Sequence, residues 1–147
     1  MTVRIQTEDF NAADESRALS SHAVGAIAMF VGTVRSDGDD DPVTAMTLEH
    51  YPGMTEAEIA RIQQQASDRW PLLGTTVIHR VGRLLPGDQI VLVAVASAHR
   101  QAAFDAANYI MDFLKTEAPF WKAEERGDIV TWVDARDSDT AARDKWD

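Results

Sequence analysis

Eleven consecutive residues, Val24 to Val34 (VGAIAMFVGTV), offer no polar face at either helical or strand spacing. A run this rich in small and β-branched residues reads as a buried strand, and it falls well short of the roughly 18 residues that a membrane span requires. The chain must therefore build a globular core around it. With 147 residues, 45% of them hydrophobic, it has enough length for one such core and too little for two independent ones, which predicts a single domain over residues 1–147.

The remaining elements follow from pattern and punctuation. Residues 43–51 alternate as a strand, Pro52-Gly53 turns the chain, and Thr55 with Glu58 forms a capping box for a helix reaching about Trp70. Ile59, Ile62, Ala66 and Trp70 mark its core side, leaving the run Gln63 to Gln65 as its wet side. Residues 75–81 and 89–98 read as two strands of a hairpin joined through Leu-Pro-Gly-Asp. Ser97 is placed to cap the next helix, whose stripe of Ala103, Phe104, Ala107, Ile110, Met111 and Leu114 ends just before Pro119. FWKAEE and IVTWV flank Arg126-Gly127-Asp128 as a last hairpin, and SDTAARDKW forms a short terminal helix. The result is an α+β domain with mostly antiparallel pairing and two main helices.

Charge and composition then exclude several kinds of chemistry. A formal charge of −10 repels nucleic acid, whose phosphates are neutralised by Lys and Arg in most complexes. The chain contains no cysteine, so it has no disulfide, no thiolate metal site and no nucleophilic sulfur of its own; any sulfur chemistry must import the sulfur. The acidic stretch SDGDDDP (36–42) reads as a solvated loop rather than a carboxylate metal site, and four scattered histidines do not make one either. No metal is assigned. GxSxG, GxGxxG, P-loop and HExxH patterns are all absent. The opening MTVRIQTEDF lacks a basic-then-apolar signal pattern, so the expected location is the cytoplasm, away from any membrane.

What remains is a set of cations. Lysine occurs only at positions 115, 122 and 145, while the other eleven basic residues of 14 are arginine. Positions that keep lysine in such a chain are candidates for a compact amine with a tunable pKa, although solvated surface lysines account for the count equally well. Lys115 falls in the last turn of a helix, where the dipole favours a cation whatever its function. Lys122 lacks that explanation: it stands in Ala118-Pro119-Phe120-Trp121-Lys122-Ala123-Glu124, where aromatics can shield an ammonium and Glu124, two residues on, shares its strand face. His99 and Arg100 occupy a first helical turn, an unfavourable place for cations unless an anion binds there. Arg35 follows a strand and can be aimed into a cleft. His79, inside a strand, reads as a structural histidine. Physics alone stops at a cytoplasmic protein with cations suited to a small anionic substrate.

Five ordered segments carry a more specific signal: FVGTVR (30–35), LEHYPGM (48–54), IHRVG (78–82), SAHR (97–100) and YIMDFLKTEAPFWKAE (109–124), with WVDAR (132–136) fitting as well. They resemble the molybdopterin synthase large, catalytic subunit family over nearly the whole chain. The resemblance implies an α/β hammerhead-like domain with a small β subdomain. It also implies sulfur transfer to cyclic pyranopterin monophosphate from a thiocarboxylate at the Gly-Gly end of a small ubiquitin-like subunit. No redox or metal cofactor is expected, and the implied assembly is a homodimer within a heterotetramer. Matched motif by motif, Thr33, Val34, Arg35, His99, Arg100, Lys115, Lys122, Ala123 and Glu124 fall on substrate-binding positions, and Phe30 and Arg136 line the same pocket. Lys115 and Lys122 are the expected catalytic pair. Two other readings stay open: a non-catalytic adaptor for a ubiquitin-like partner, and a cofactor-free phosphoester hydrolase.

Overall fold

The computed structural model describes residues 1–36, 40–133 and 137–146; the centre of the acidic loop (37–39) and Arg136 lie outside them. In chain order the elements are β1 (Thr2–Gln6), α1 (Ala12–Leu19), β2 (Ala26–Thr33), β3 (Ala45–His50), α2 (Met54–Arg69), β4 (Leu72–Arg80), β5 (Gly82–Leu84), β6 (Gln89–Ser97), α3 (Arg100–Glu117), β7 (Phe120–Arg126), β8 (Ile129–Val133) and α4 (Asp137–Asp144). They form two four-stranded sheets, ordered β1-β4-β6-β2 and β5-β3-β7-β8. All pairings are antiparallel except β1 with β4. The expected α+β architecture with a small β subdomain is the one observed.

The first sheet is covered on both faces. Val77, Val91, Val93 and Val95 pack with Ile59, Ile62, Ala103, Ile110 and Leu114 of α2 and α3. On the opposite face Ile78, Leu92 and Ala94 meet Phe10, Ala12 and Leu19 of the N-terminal segment. This double cover explains why β4 and β6 are apolar at successive positions rather than alternating. Each fully buried Ile or Val there contributes roughly 1.5–3 kcal/mol of hydrophobic stabilisation. The N-terminal helix and Phe10 before it, which supply the second cover, had no strong sequence signal: α1 buries no residue fully.

Five details differ from the sequence expectations. β2 is not an interior strand but the outer strand of its sheet, with Met29 and Phe30 about two-fifths exposed and only Ala28 buried. Its apolar character thus lacks a complete cover within this chain. Helix α2 is capped at Gly53, whose N–H donates to Glu56 Oε1 at 3.0 Å, while Thr55 is fully buried and bonded elsewhere. Gln63 is also fully buried, its amide nitrogen donating to the Thr2 carbonyl at 3.0 Å to tie α2 to β1. Ser97 ends β6 and donates to the Pro71 carbonyl at 2.8 Å, leaving His99 as the residue before α3 with no side-chain cap. The β4–β6 pair does form, but β5 departs to the second sheet between them.

Candidate active site

A cleft of about 770 Å³ opens between the two sheets beside the last turn of α3. Its polar lining comes from four separate stretches: Thr33 at the end of β2 with Arg35 beyond it, His79 on β4, Lys115 on α3, and Lys122 with Glu124 on β7. The floor is apolar, from Val34, Met46, Leu48, Ile90, Leu114 and Phe120.

Each polar group is aimed by local structure. A register shift between Gly32 and Thr33 breaks the β2 ladder, and such bulges redirect the residues that follow. A Cβ at Gly32 would stand 2.8 Å from Val91 Cγ1, so this narrow bend needs glycine. Beyond it, Val34 N–H donates to the Asp88 carbonyl at 2.9 Å and Gly87 N–H to the Val34 carbonyl at 2.8 Å. Gly87 takes φ +93°, the left-handed conformation that the Pro86-Gly87 reversal requires. Arg35 thus leaves a backbone pinned on both sides. On β7 the period of two puts Phe120, Lys122 and Glu124 on the cleft side. Ala123, by the same alternation, is buried on the other side and does not line the cleft.

Glu124 pairs with Arg126 at 3.5 Å, and Arg126 also donates to the Asp41 carbonyl. Glu124, expected to share the strand face of Lys122, is thus paired with Arg126 on that same face. Three cations, Arg35, Lys115 and Lys122, meet one carboxylate in a cleft of a strongly acidic chain, which suits a bound anion.

His79 lies beneath this cleft, buried, with its ring stacked on Phe120 at 3.9 Å between centroids and Nδ1 against the Arg80 carbonyl at 2.9 Å. Burial lowers its pKa from 6.5 to about 4, and the positive charges of Lys115 and His50 add to the effect, while the Arg80 carbonyl opposes it. The imidazole is neutral at physiological pH and serves the cleft as a wall. Because the folded state holds this group neutral, the unfolded chain binds more protons between pH 6.5 and 4, and stability falls as pH drops through that window. At about 1.4 kcal/mol per pH unit, His79 should account for roughly 2 kcal/mol of loss between pH 7 and 5. Urea unfolding at the two pH values should show His79→Gln losing that much less than the wild type; parallel losses would assign the acid sensitivity to other groups.

Of the residues expected from sequence, Phe30, Thr33, Val34, Arg35, Lys115, Lys122 and Glu124 converge on this cleft. His99 and Arg100 do not. They stand exposed at the opposite end of α3, Arg100 fifteen residues before Lys115, a separation of about 22 Å at 1.5 Å per residue. The apolar lining, Met46, Leu48, Ile90, Met111 and Leu114, was not singled out from sequence, where such residues are indistinguishable from core.

Comparison with known proteins places the chain in a family. The family model described as MoaE protein matches residues 5–117. The molybdopterin synthase catalytic subunit of Mesorhizobium japonicum is 54% identical over 149 aligned residues, covering 99% of this chain and 92% of that protein. The protein of the same name from Pseudomonas aeruginosa is 50% identical, with 100% and 99% covered. The solved structure of the molybdopterin biosynthesis MoaE protein from Burkholderia ambifaria superposes with a TM-score of 0.84 at 52% identity, covering 99% of this chain and 97% of that one. The chain belongs to the MoaE protein family. No helix among the described residues is long and apolar enough to cross a membrane.

Proposed function

We propose that this chain is the catalytic subunit of a molybdopterin synthase and works as a sulfurtransferase. In this reading it moves sulfur from the C-terminal thiocarboxylate of a small ubiquitin-like subunit to cyclic pyranopterin monophosphate. The observation that carries it is the convergence of Arg35, Lys115 and Lys122, from three distant segments, on one cleft with apolar walls. A cysteine-free chain fits a reaction whose sulfur arrives on a partner.

The residues divide the work by position. Arg35 holds the phosphate, its planar fork matched to paired oxygens. Lys115 and Lys122 stabilise the oxyanions that form as sulfur leaves the donor's acyl carbon, and move protons to and from the reacting oxygens. In each transfer the thiocarboxylate sulfur bonds to a substrate carbon with loss of that carbon's oxygen, and a water molecule then cleaves the acyl–sulfur bond, so the donor's terminal carbon leaves as an ordinary carboxylate and two donors are used for the two sulfurs. The apolar lining limits water to the few molecules the reaction uses and leaves room for a thin Gly-Gly tail, which approaches closely because it lacks side chains.

His99 and Arg100 join the same chemistry only if they reach the cleft of a second copy. The exposed apolar strip of Met29 and Phe30 on β2 with Phe104 on α3 supports such pairing, since a twofold interface buries the same patch on both copies. The assembly proposed is a homodimer with one small carrier subunit at each cleft. Reconstitution tests the whole reading: purified protein, precursor and thiocarboxylated carrier should yield molybdopterin, and omission of either component should leave the precursor unchanged. Product formed at a similar rate from free sulfide would remove the carrier's role. Turnover of the cyclic phosphate with no donor present would point instead to a hydrolase.

A further inference from the structure

Lys115 and Lys122 lie on two different elements joined by a sharp elbow, and their relative placement depends on how that elbow bends. α3 ends at Glu117, Ala118 turns out of helical conformation at φ −78° and ψ 129°, and β7 begins at Phe120. Within the elbow, Phe120 N–H donates to the Ala118 carbonyl at 3.0 Å. From outside, a remote residue holds it. The hydroxyl of Thr55, in the first turn of α2, donates to the Pro119 carbonyl at 3.0 Å and accepts the Tyr51 N–H at 2.9 Å. Thr55 N–H in turn donates to the Tyr51 carbonyl at 2.9 Å.

This hydroxyl is fully buried and its one proton is committed to the elbow. Removing it strips a partly buried carbonyl and amide of the partner they share, which they can replace only by moving. The Pro119 carbonyl sits three residues before Lys122 and four after Lys115, so any such movement is delivered to the lysine pair. The stack of Phe120 on His79 fixes the strand side of the elbow, leaving Thr55 as the brace on its proline.

We infer that Thr55 is a positioning residue for the two lysines, an inference that rests on the synthase reading. Its hydroxyl sets the distance between the ammonium groups without touching substrate. Displacements on the order of 1 Å in a preorganised site cost up to about a hundredfold in rate. Thr55→Val, which preserves shape and removes only the hydroxyl, should lower kcat about tenfold or more and leave KM for the precursor within about twofold. Thr55→Ser should restore kcat.

The deciding measurement is a double-mutant cycle in the reconstituted assay. In a Lys122→Ala background, Thr55→Val should change kcat by less than about twofold, because there is no second ammonium left to misplace. Multiplying effects, or wild-type kcat in folded Thr55→Val, would overturn the inference. Should the valine variant fail to fold, Thr55→Ala goes through the same cycle. Amide NMR spectra of the free protein supply an arm independent of activity: the Thr55 variant should shift the Phe120 to Lys122 resonances, and unmoved resonances would also overturn the brace. A wild-type protein that makes no molybdopterin but whose spectra shift as expected would sink the synthase reading while leaving the brace standing. An active wild type with multiplying effects would do the reverse.

Discussion

Lys115→Ala should abolish turnover, and Lys122→Ala should lower it by about a hundredfold, both with the fold intact. The scale follows from losing one preorganised charge in a cleft with apolar walls, roughly 3 kcal/mol of transition-state stabilisation. Folding should survive because Lys115 is exposed and Lys122 lies at the cleft surface, so neither fills core volume. Lys122→Arg should rescue poorly, since guanidinium keeps the charge but does not give up a proton near neutral pH. Single-turnover rates with thiocarboxylated carrier, set beside thermal melts, check all three variants. Rates near wild type in both alanine variants would leave the cleft as a binding surface only, in line with the adaptor alternative.

The lysines also show where a sequence is legible. Lys122 stood out because no secondary-structure role explained a cation among aromatics, and the structure puts it in the cleft. Lys115 had a sufficient explanation in the helix dipole, so its place came from family resemblance. The hairpin of β7 and β8 and the long helix α3 were readable from punctuation, with Gly127 at φ +63° where the turn was expected. By contrast, the N-terminal strand and helix were invisible, because α1 is mostly polar and gains its place by covering Ile78 and Leu92 on a distant sheet face. Gln63 was misjudged for the same reason. An amide in a polar run reads as solvated until a carbonyl from residue 2 arrives to accept from its nitrogen.

Co-expressed Lys115→Ala and Arg100→Ala protomers, each inactive as a homodimer, should regain activity as heterodimers. The helix separation of about 22 Å means that one chain cannot bring Arg100 and Lys115 to a single small pterin. If each cleft takes Lys115 from one copy and Arg100 from the other, a heterodimer holds one site carrying both defects and one carrying neither. Recovery should approach half the wild-type activity per dimer. Tandem affinity tags isolate the mixed species, and the same assay scores it. A verified heterodimer with no recovered activity, or a fully active monomer, would remove the shared-site arrangement. The exposed strip of Met29, Phe30 and Phe104 gives the arrangement a second check, since a charge at Phe104 should weaken dimerisation and activity together.

The strand order has a consequence for how the chain reaches this state. β1 pairs with β4, β2 with β6, and β3 with β5 and β7, so no two of the first three strands pair with each other. On a ribosome, everything before residue 72 emerges without a ladder to join. The apolar β2 waits for a partner that begins only at Gln89. Loops this long must close before any sheet contact compensates the lost entropy, which places the chain among slow folders with high contact order. This apolar strand is also among the first to be synthesised, so the nascent protein depends on being kept apart from its own copies until its second half arrives.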